Sequence, residues 1–411
     1  MAGTQIWRAS RVALAGLVLA SSAASAQDMR SVIETAQTRA VHAGTVTSIP
    51  MDVRMGKLFV RATANGVERE FIFDTGSPSI ISEELAADLG LEIVASNTGR
   101  DANGDPVTMG IAVLDTLDIG TARFEQIPVM VFDFSSLPTG RCVVDGGVIG
   151  SELLPHGVWR LDTERGEMTV APEIGALTPS AGALDLELMQ AGYPFPPVIS
   201  YRLGDVEDRA LFDTGSAGFA TVFESVMNSR QARSAIVPGS LREGEGSEGE
   251  SAGGRGPVRS IAHYELSRLE LGGHTLEAVP ALSRSNPPTL VGAGLLDRYA
   301  VTIDFARHNL VLEPRAELAT PDRPAGFALA YTGRSVEVVQ LFADTAAAQA
   351  GLMLGDEVVS VDGQALDTTE SGVCNTVRWL AGTFDAASVS EIIVMRDAEQ
   401  IALTIRAEGG R

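Results

Sequence analysis

The chain repeats itself. Phe71-Ile72-Phe73-Asp74-Thr75-Gly76-Ser77 returns as Ala210-Leu211-Phe212-Asp213-Thr214-Gly215-Ser216. Further along, Val148-Ile149-Gly150-Ser151-Glu152-Leu153-Leu154 returns as Leu290-Val291-Gly292-Ala293-Gly294-Leu295-Leu296. A third landmark follows each of these. Leu161-Asp162-Thr163-Glu164-Arg165 leads into Met168-Thr169-Val170, and Ile303-Asp304-Phe305-Ala306-Arg307 leads into Leu310-Val311-Leu312. Three landmarks in the same order, at nearly the same spacing, mark a duplicated lobe.

Each copy reads as all-β, with short alternating apolar runs broken by Gly, Asn, Asp and Pro. Residues 57–62, 70–73, 107–117 and 127–132 are predicted strands. Asn103-Gly104 is a strong hairpin-turn dipeptide. Residues 82–89 read as a short helix with Ser82 as its N-cap. The stretch 238–257 is rich in Gly, Ser and Glu without apolar periodicity, which predicts a mobile hairpin tip or a disordered insert in the second lobe. Residues 172–183 link the lobes. Residues 313–323, with Pro314 and Pro321 and followed by Pro324, separate a third unit.

The repeated loop has a definite chemical capacity. An apolar strand plants an Asp at the end of a buried segment. The Thr hydroxyl can bond backbone of the opposite lobe. The Gly lets another backbone come close, and the Ser offers a hydroxyl to the carboxylate. One Asp-Thr-Gly is a common turn, but two inside the same longer pattern are not. If the lobes pack about a pseudo-twofold axis, Asp74 and Asp213 meet at that axis. Two carboxylates that close share one proton. The charged member can accept a proton from a water held between them, while the protonated member donates to a scissile carbonyl oxygen. Aspartic proteases are a standard example of such a shared-proton pair.

These paired motifs resemble the pepsin/retropepsin aspartic peptidases, over roughly residues 45–315. The short lobes look closer to the retropepsin-like enzymes of bacteria than to secreted pepsins. The resemblance implies two pseudo-symmetric β-barrel lobes, 45–172 and 184–315, with catalytic Asp74 and Asp213. It places Thr75, Gly76, Ser77, Thr214, Gly215 and Ser216 in the catalytic loops, and passes Ile149-Gly150 and Val291-Gly292 beside them. It also implies a flap over the cleft, mapping to about 98–111 with its tip at Asn103-Gly104. The flap lacks the Tyr typical of pepsins. Both halves lie in one chain, so the catalytic unit is expected to be monomeric and its partner a peptide or protein substrate. No cofactor or metal is expected.

From residue 326 the texture changes. Residues 336–341 read as a strand, and 346–350 as a short helix closed by Gly351. Gly351-Leu352-Met353-Leu354-Gly355-Asp356-Glu357-Val358-Val359-Ser360-Val361-Asp362-Gly363 resembles the signature of PDZ domains. Residues 371–380 would be a second helix, and 391–395 and 401–405 closing strands. The resemblance covers 324–408 and implies a β-sandwich with two helices. Such a unit takes a C-terminal peptide onto a sheet edge, here at Gly326, Phe327, Ala328 and Leu329. The plainer alternative is a unit that only packs on the lobes.

A formal net charge of −22 opposes nucleic acid and anionic membrane surfaces as partners. Arg8 and Arg11, a short apolar run at 12–20 and Ala24-Ser25-Ala26 form the pattern of a signal peptide over 1–26. Export to the periplasm or medium is therefore expected, with no membrane span after cleavage and a propeptide as one reading of residues 27–44. Export permits a disulfide between the two cysteines, Cys142 and Cys374. They lie in different predicted domains, so two free thiols are at least as strong an expectation. His42, His156, His263, His274 and His308 sit in no catalytic motif and read as surface or loop residues. Two functional classes follow: an active endopeptidase, or a non-catalytic peptide-binding scaffold on the same lobes.

Overall fold

The computed structural model describes residues 23–42, 46–315 and 326–405, and in it each copy of the repeat builds the same local scaffold. In the first half, strand Val67–Phe73 runs antiparallel to Lys57–Ala64 and parallel to Gly147–Ile149, with Phe73 opposite Ile149. In the second half, Val206–Asp213 runs antiparallel to Val198–Leu203 and parallel to Thr289–Gly292, with Asp213 opposite Gly292. The period-two pattern sends Phe71 and Phe73 inward, where both are buried. Trp159 lies between Phe73 and Phe124, with ring centroids 5.5 and 5.6 Å away. Burying each such ring contributes roughly 2–3 kcal/mol. The fold is mainly β, with two pseudo-symmetric halves and a third unit behind them.

The third landmark of the repeat forms the seam. Strand Val158–Asp162 pairs with Tyr299–Asp304, setting Trp159 opposite Ile303. Glu167–Ala171 and Thr47–Arg54 extend this sheet on one side, and Asn309–Pro314 and Leu184–Glu187 on the other. One apolar cluster runs through both halves, so the lobes are fixed to one another by a shared sheet and a shared core.

The segment 238–257 departs from the sequence expectation. Arg242–Ser247 is a strand, paired with Val258–Leu271 on one edge and with Val336–Phe342 of the third unit on the other. A small hairpin follows, with Glu250–Ser251 against Gly254–Arg255. The glycines here serve close approach. A Cβ on Gly244 would lie 2.4 Å from the Leu341 carbonyl oxygen, and one on Gly246 2.5 Å from that of Val339. The pairing of the cysteines, open in the sequence, is settled here: Cys142 and Cys374 form a disulfide with a Cα separation of 4.9 Å. It ties the short helix Gly140–Val143 of the first lobe to the helix Val373–Gly382 of the third unit.

The third unit has its own core, built around Phe327, Val336, Val358, Val377 and Ile392. Its elements run Phe327–Tyr331, Val336–Phe342, Ala346–Gln349, Glu357–Val361, Gln364–Ala365, Val373–Gly382, Glu391–Arg396 and Glu399–Thr404. Of the predicted signal peptide, residues 1–22 lie outside the described residues, as does most of the second linker. The helix Ala23–Ala36 runs through the predicted cleavage site, and its Met29 is buried against Ile111 and Met130. Strand Arg39–His42 then pairs with Ala122–Phe132. No helix among the described residues is long and apolar enough to cross a membrane.

Candidate active site

The two Asp loops meet, and a reciprocal set of hydrogen bonds holds them together. The Thr75 hydroxyl donates to the Phe212 carbonyl oxygen at 2.6 Å and accepts the Thr214 N–H at 3.1 Å. The Thr214 hydroxyl donates to the Phe73 carbonyl oxygen at 2.8 Å and accepts the Thr75 N–H at 3.0 Å. Both threonines are fully buried. Each hydroxyl thus satisfies one donor and one acceptor of the opposite lobe, which buried backbone requires.

This clasp sets the carboxyl groups face to face. The Gly76 N–H donates to Asp74 Oδ1 at 2.8 Å, and the Gly215 N–H to Asp213 Oδ1 at 2.9 Å. A Cβ on Gly76 would lie 2.4 Å from Asp213 Oδ1, and one on Gly215 2.3 Å from Asp74 Oδ2. Only glycine leaves room for the opposite carboxyl. Burial first, and then the negative charge of Asp74, push the Asp213 carboxyl up to about 7, against the pull of nearby Lys57. Asp213 therefore keeps its proton over the mildly acidic range.

The hydrophobic-hydrophobic-Gly segments run beside these loops. The Asp74 N–H donates to the Ile149 carbonyl oxygen at 3.0 Å, and the Gly150 N–H to Ser79 Oγ at 2.8 Å. A Cβ on Gly150 would sit 2.2 Å from the Pro78 carbonyl carbon, and one on Gly292 2.3 Å from the Gly218 carbonyl oxygen. Val291 is buried in the strand beside Phe212. The serines depart from expectation: Ser77 Oγ donates to the Pro78 carbonyl oxygen at 3.0 Å, and Ser216 Oγ lies 3.5 Å from Thr221 Oγ1. Their hydroxyls serve the loop rather than the carboxylates.

The segment expected as a flap forms the hairpin of Ala95–Arg100 and Pro106–Ile119. Its tip docks on the second lobe. Asn103 Nδ2 donates to the Gly254 carbonyl oxygen at 3.2 Å, and Asn286 Nδ2 donates to the Asn103 carbonyl oxygen at 3.0 Å. The Gly253 N–H donates to Asp101 Oδ2 at 2.8 Å. Gly104 has φ +88, the left-handed region that makes it the turn residue. The segment read from composition as a loose insert is thus the partner of the flap tip. Gly326, Phe327, Ala328 and Leu329 lie in the third unit instead, opening the strand Phe327–Tyr331, which pairs with Val336–Phe342. Of the histidines, His263 departs from expectation: its ring lies against Phe342, centroids 4.4 Å apart, and burial lowers it to about 4.

Two residues near the loops have roles that the motifs did not assign. Lys57 Nζ donates to the Gly215 carbonyl oxygen at 2.5 Å, bridging from the first lobe to the second Asp loop. Glu152 is buried, with Oε2 accepting the Ser79 N–H at 2.9 Å and Oε1 lacking a partner among the described residues. The signal for Glu152 was a mismatch in the repeat, since the second copy has Gly294 there. Burial pushes its carboxyl from 4.5 to about 7, and the hydrogen bonds from Ser79 offset part of this. The folded value lies above the unfolded one, so this contribution is full at low pH and lost as pH rises from about 4.5 to 7. Glu152→Gln is expected to gain roughly 3 kcal/mol on the wild type between pH 4 and pH 8. Denaturant titrations at the two pH values measure this, and parallel pH dependence of the two proteins would contradict it.

A search of curated proteins finds no match. Among solved structures, the chain is similar to an aspartic proteinase from Irpex lacteus. The TM-score is 0.44 and the identity 11%, over 68% of this chain and 100% of that one. Residues 60–153, which hold the Asp74 loop, the flap and Ile149-Gly150, match the family model described as aspartyl protease.

Proposed function

We propose that this protein is an exported aspartic endopeptidase with a single active site formed by Asp74 and Asp213. One observation carries the reading: the Asp74 and Asp213 loops meet, and each carboxyl lies where a Cβ on the opposite loop's glycine would sit. Two half-buried carboxyls held this close, outside any ion pair among the described residues, are costly to keep, and general acid–base hydrolysis uses them. The charged member takes a proton from the attacking water and the protonated member donates to the carbonyl oxygen, with no covalent intermediate. The substrate is a peptide or protein segment extended under the flap, and the catalytic unit is monomeric. In this reading the units are 45–172, 184–315 and a PDZ-like 324–408. The last braces the second lobe through the Arg242–Ser247 pairing and is tied to the first lobe by the disulfide. Its edge strand Phe327–Tyr331 is where a C-terminal peptide would add.

The pH profile of peptide hydrolysis tests the reading. Activity needs one proton on the pair, so kcat/KM should be bell-shaped and fall as pH rises through about 7, where Asp213 loses its proton. Lys57 favours the charged form of Asp213. Lys57→Met should therefore move the alkaline limb to higher pH. A rate that keeps rising into alkaline pH would count against the mechanism.

A further inference from the structure

We propose that Arg284 is the anion-recognising residue of the cleft, pairing with a carboxylate of the bound peptide near the dyad. The inference rests on the peptidase reading and adds the chemistry of the substrate. Arg284 ends the strand His274–Arg284 and lies opposite Phe223 in the parallel pairing with Ala220–Phe223. In the first lobe the matching register sets Ser82 opposite Phe132. Phe132 packs with Phe59, Ile72 and Val148 in an apolar cluster. Where one lobe places a phenyl ring, the other places a guanidinium.

That guanidinium is buried and under-satisfied. Arg284 is only 7% exposed, and its Nε has no hydrogen-bond partner among the described residues. One terminal nitrogen reaches the Ala102 carbonyl oxygen in the flap turn, at a long 3.5 Å. Asp213 and Glu248 attract it across space, yet Glu248 Oε1 is engaged by the Ser285 N–H at 2.8 Å. A buried cation without a close counter-charge costs several kcal/mol. It is retained where a ligand supplies the missing charge.

Position and shape narrow the ligand. Arg284 reaches the hairpin turn at Ala102, and Asn286, two residues on, holds the hairpin tip. A group that meets Arg284 lies beside that turn. The planar fork matches a carboxylate through two parallel hydrogen bonds. On a peptide that carboxylate is either an acidic side chain or the chain terminus. The net charge of −22 repels acidic peptides at long range, so Arg284 selects by contact and not by steering.

Fluorescence anisotropy with the full chain tests this without requiring turnover. The probes are labelled peptides scanned with Glu or Gln at each position, each made with a free or an amidated C-terminus. At one position, or at the terminus, the charged peptide should bind at least about tenfold tighter than its neutral isostere. Side-chain or terminal discrimination identifies the source of the carboxylate. In Arg284→Gln that ratio should fall to about one, and Arg284→Lys should keep part of it. Equal binding of every pair, or a ratio that survives Arg284→Gln, would overturn the proposal. Hydrolysis of the same peptides reports separately on the peptidase reading: discrimination in binding with no cleavage would remove the catalyst and leave the anion site standing.

Discussion

Asp74→Asn and Asp213→Asn are each expected to lower peptide hydrolysis by at least about a thousandfold, because either change removes the shared proton and its acceptor together. The fold should survive both. Each carboxyl is isosteric with the amide, and the Gly76 and Gly215 N–H groups still find an oxygen to bond. Replacing one of two mutually repelling, half-buried acids also relieves their repulsion, so thermal stability should hold or rise. A peptide-library digest with the wild type and both variants, run beside thermal melts, gives the two readings. Turnover within tenfold of wild type in either variant would reject a dyad that acts as one unit.

The second large effect falls on stability. Thr75→Val and Thr214→Val keep the shape of the side chain and remove its hydroxyl. Each leaves one buried carbonyl oxygen and one buried N–H of the opposite lobe without a partner, at Phe212 and Thr214 or at Phe73 and Thr75. An orphaned buried group costs about 1–3 kcal/mol, so each variant should lose roughly 2–5 kcal/mol in chemical denaturation. The double variant should lose less than the sum, because both hydroxyls serve one clasp. A loss below about 0.5 kcal/mol in both single variants would mean that the seam strands alone hold the lobes. The dyad and the clasp should thus separate cleanly, one set of variants failing in rate and the other in stability.

The duplicated motif made the heart of the site legible. Apolar residues before each Asp predict a buried strand end, and the Thr and Gly after it predict cross-lobe bonding and close approach. Those are the roles seen at Thr75, Gly76, Thr214 and Gly215. The repeat's third landmark was also readable as strands, though pattern alone could not show that Trp159 would face Ile303 across the seam. Composition misled at 238–257. Gly and Ser there read as entropy and solvent, whereas Gly244 and Gly246 are small because a neighbouring strand passes too close for a Cβ. The cysteines were opaque for a related reason: 232 residues separate them, and only tertiary packing brings two helices together. Lys57 and Arg284 lie outside every landmark, and Glu152 sits inside one that assigned it no role. Their roles arise from burial beside a particular loop, which a linear pattern does not encode, although two of them sit where the lobes stop matching.

Neutron diffraction from crystals grown in heavy water near pH 5 tests the central claim most directly. The account predicts a single deuteron between the Asp74 and Asp213 carboxyl groups and one bound water facing both. Two separately solvated carboxylates, or a deuteron on each, would contradict it.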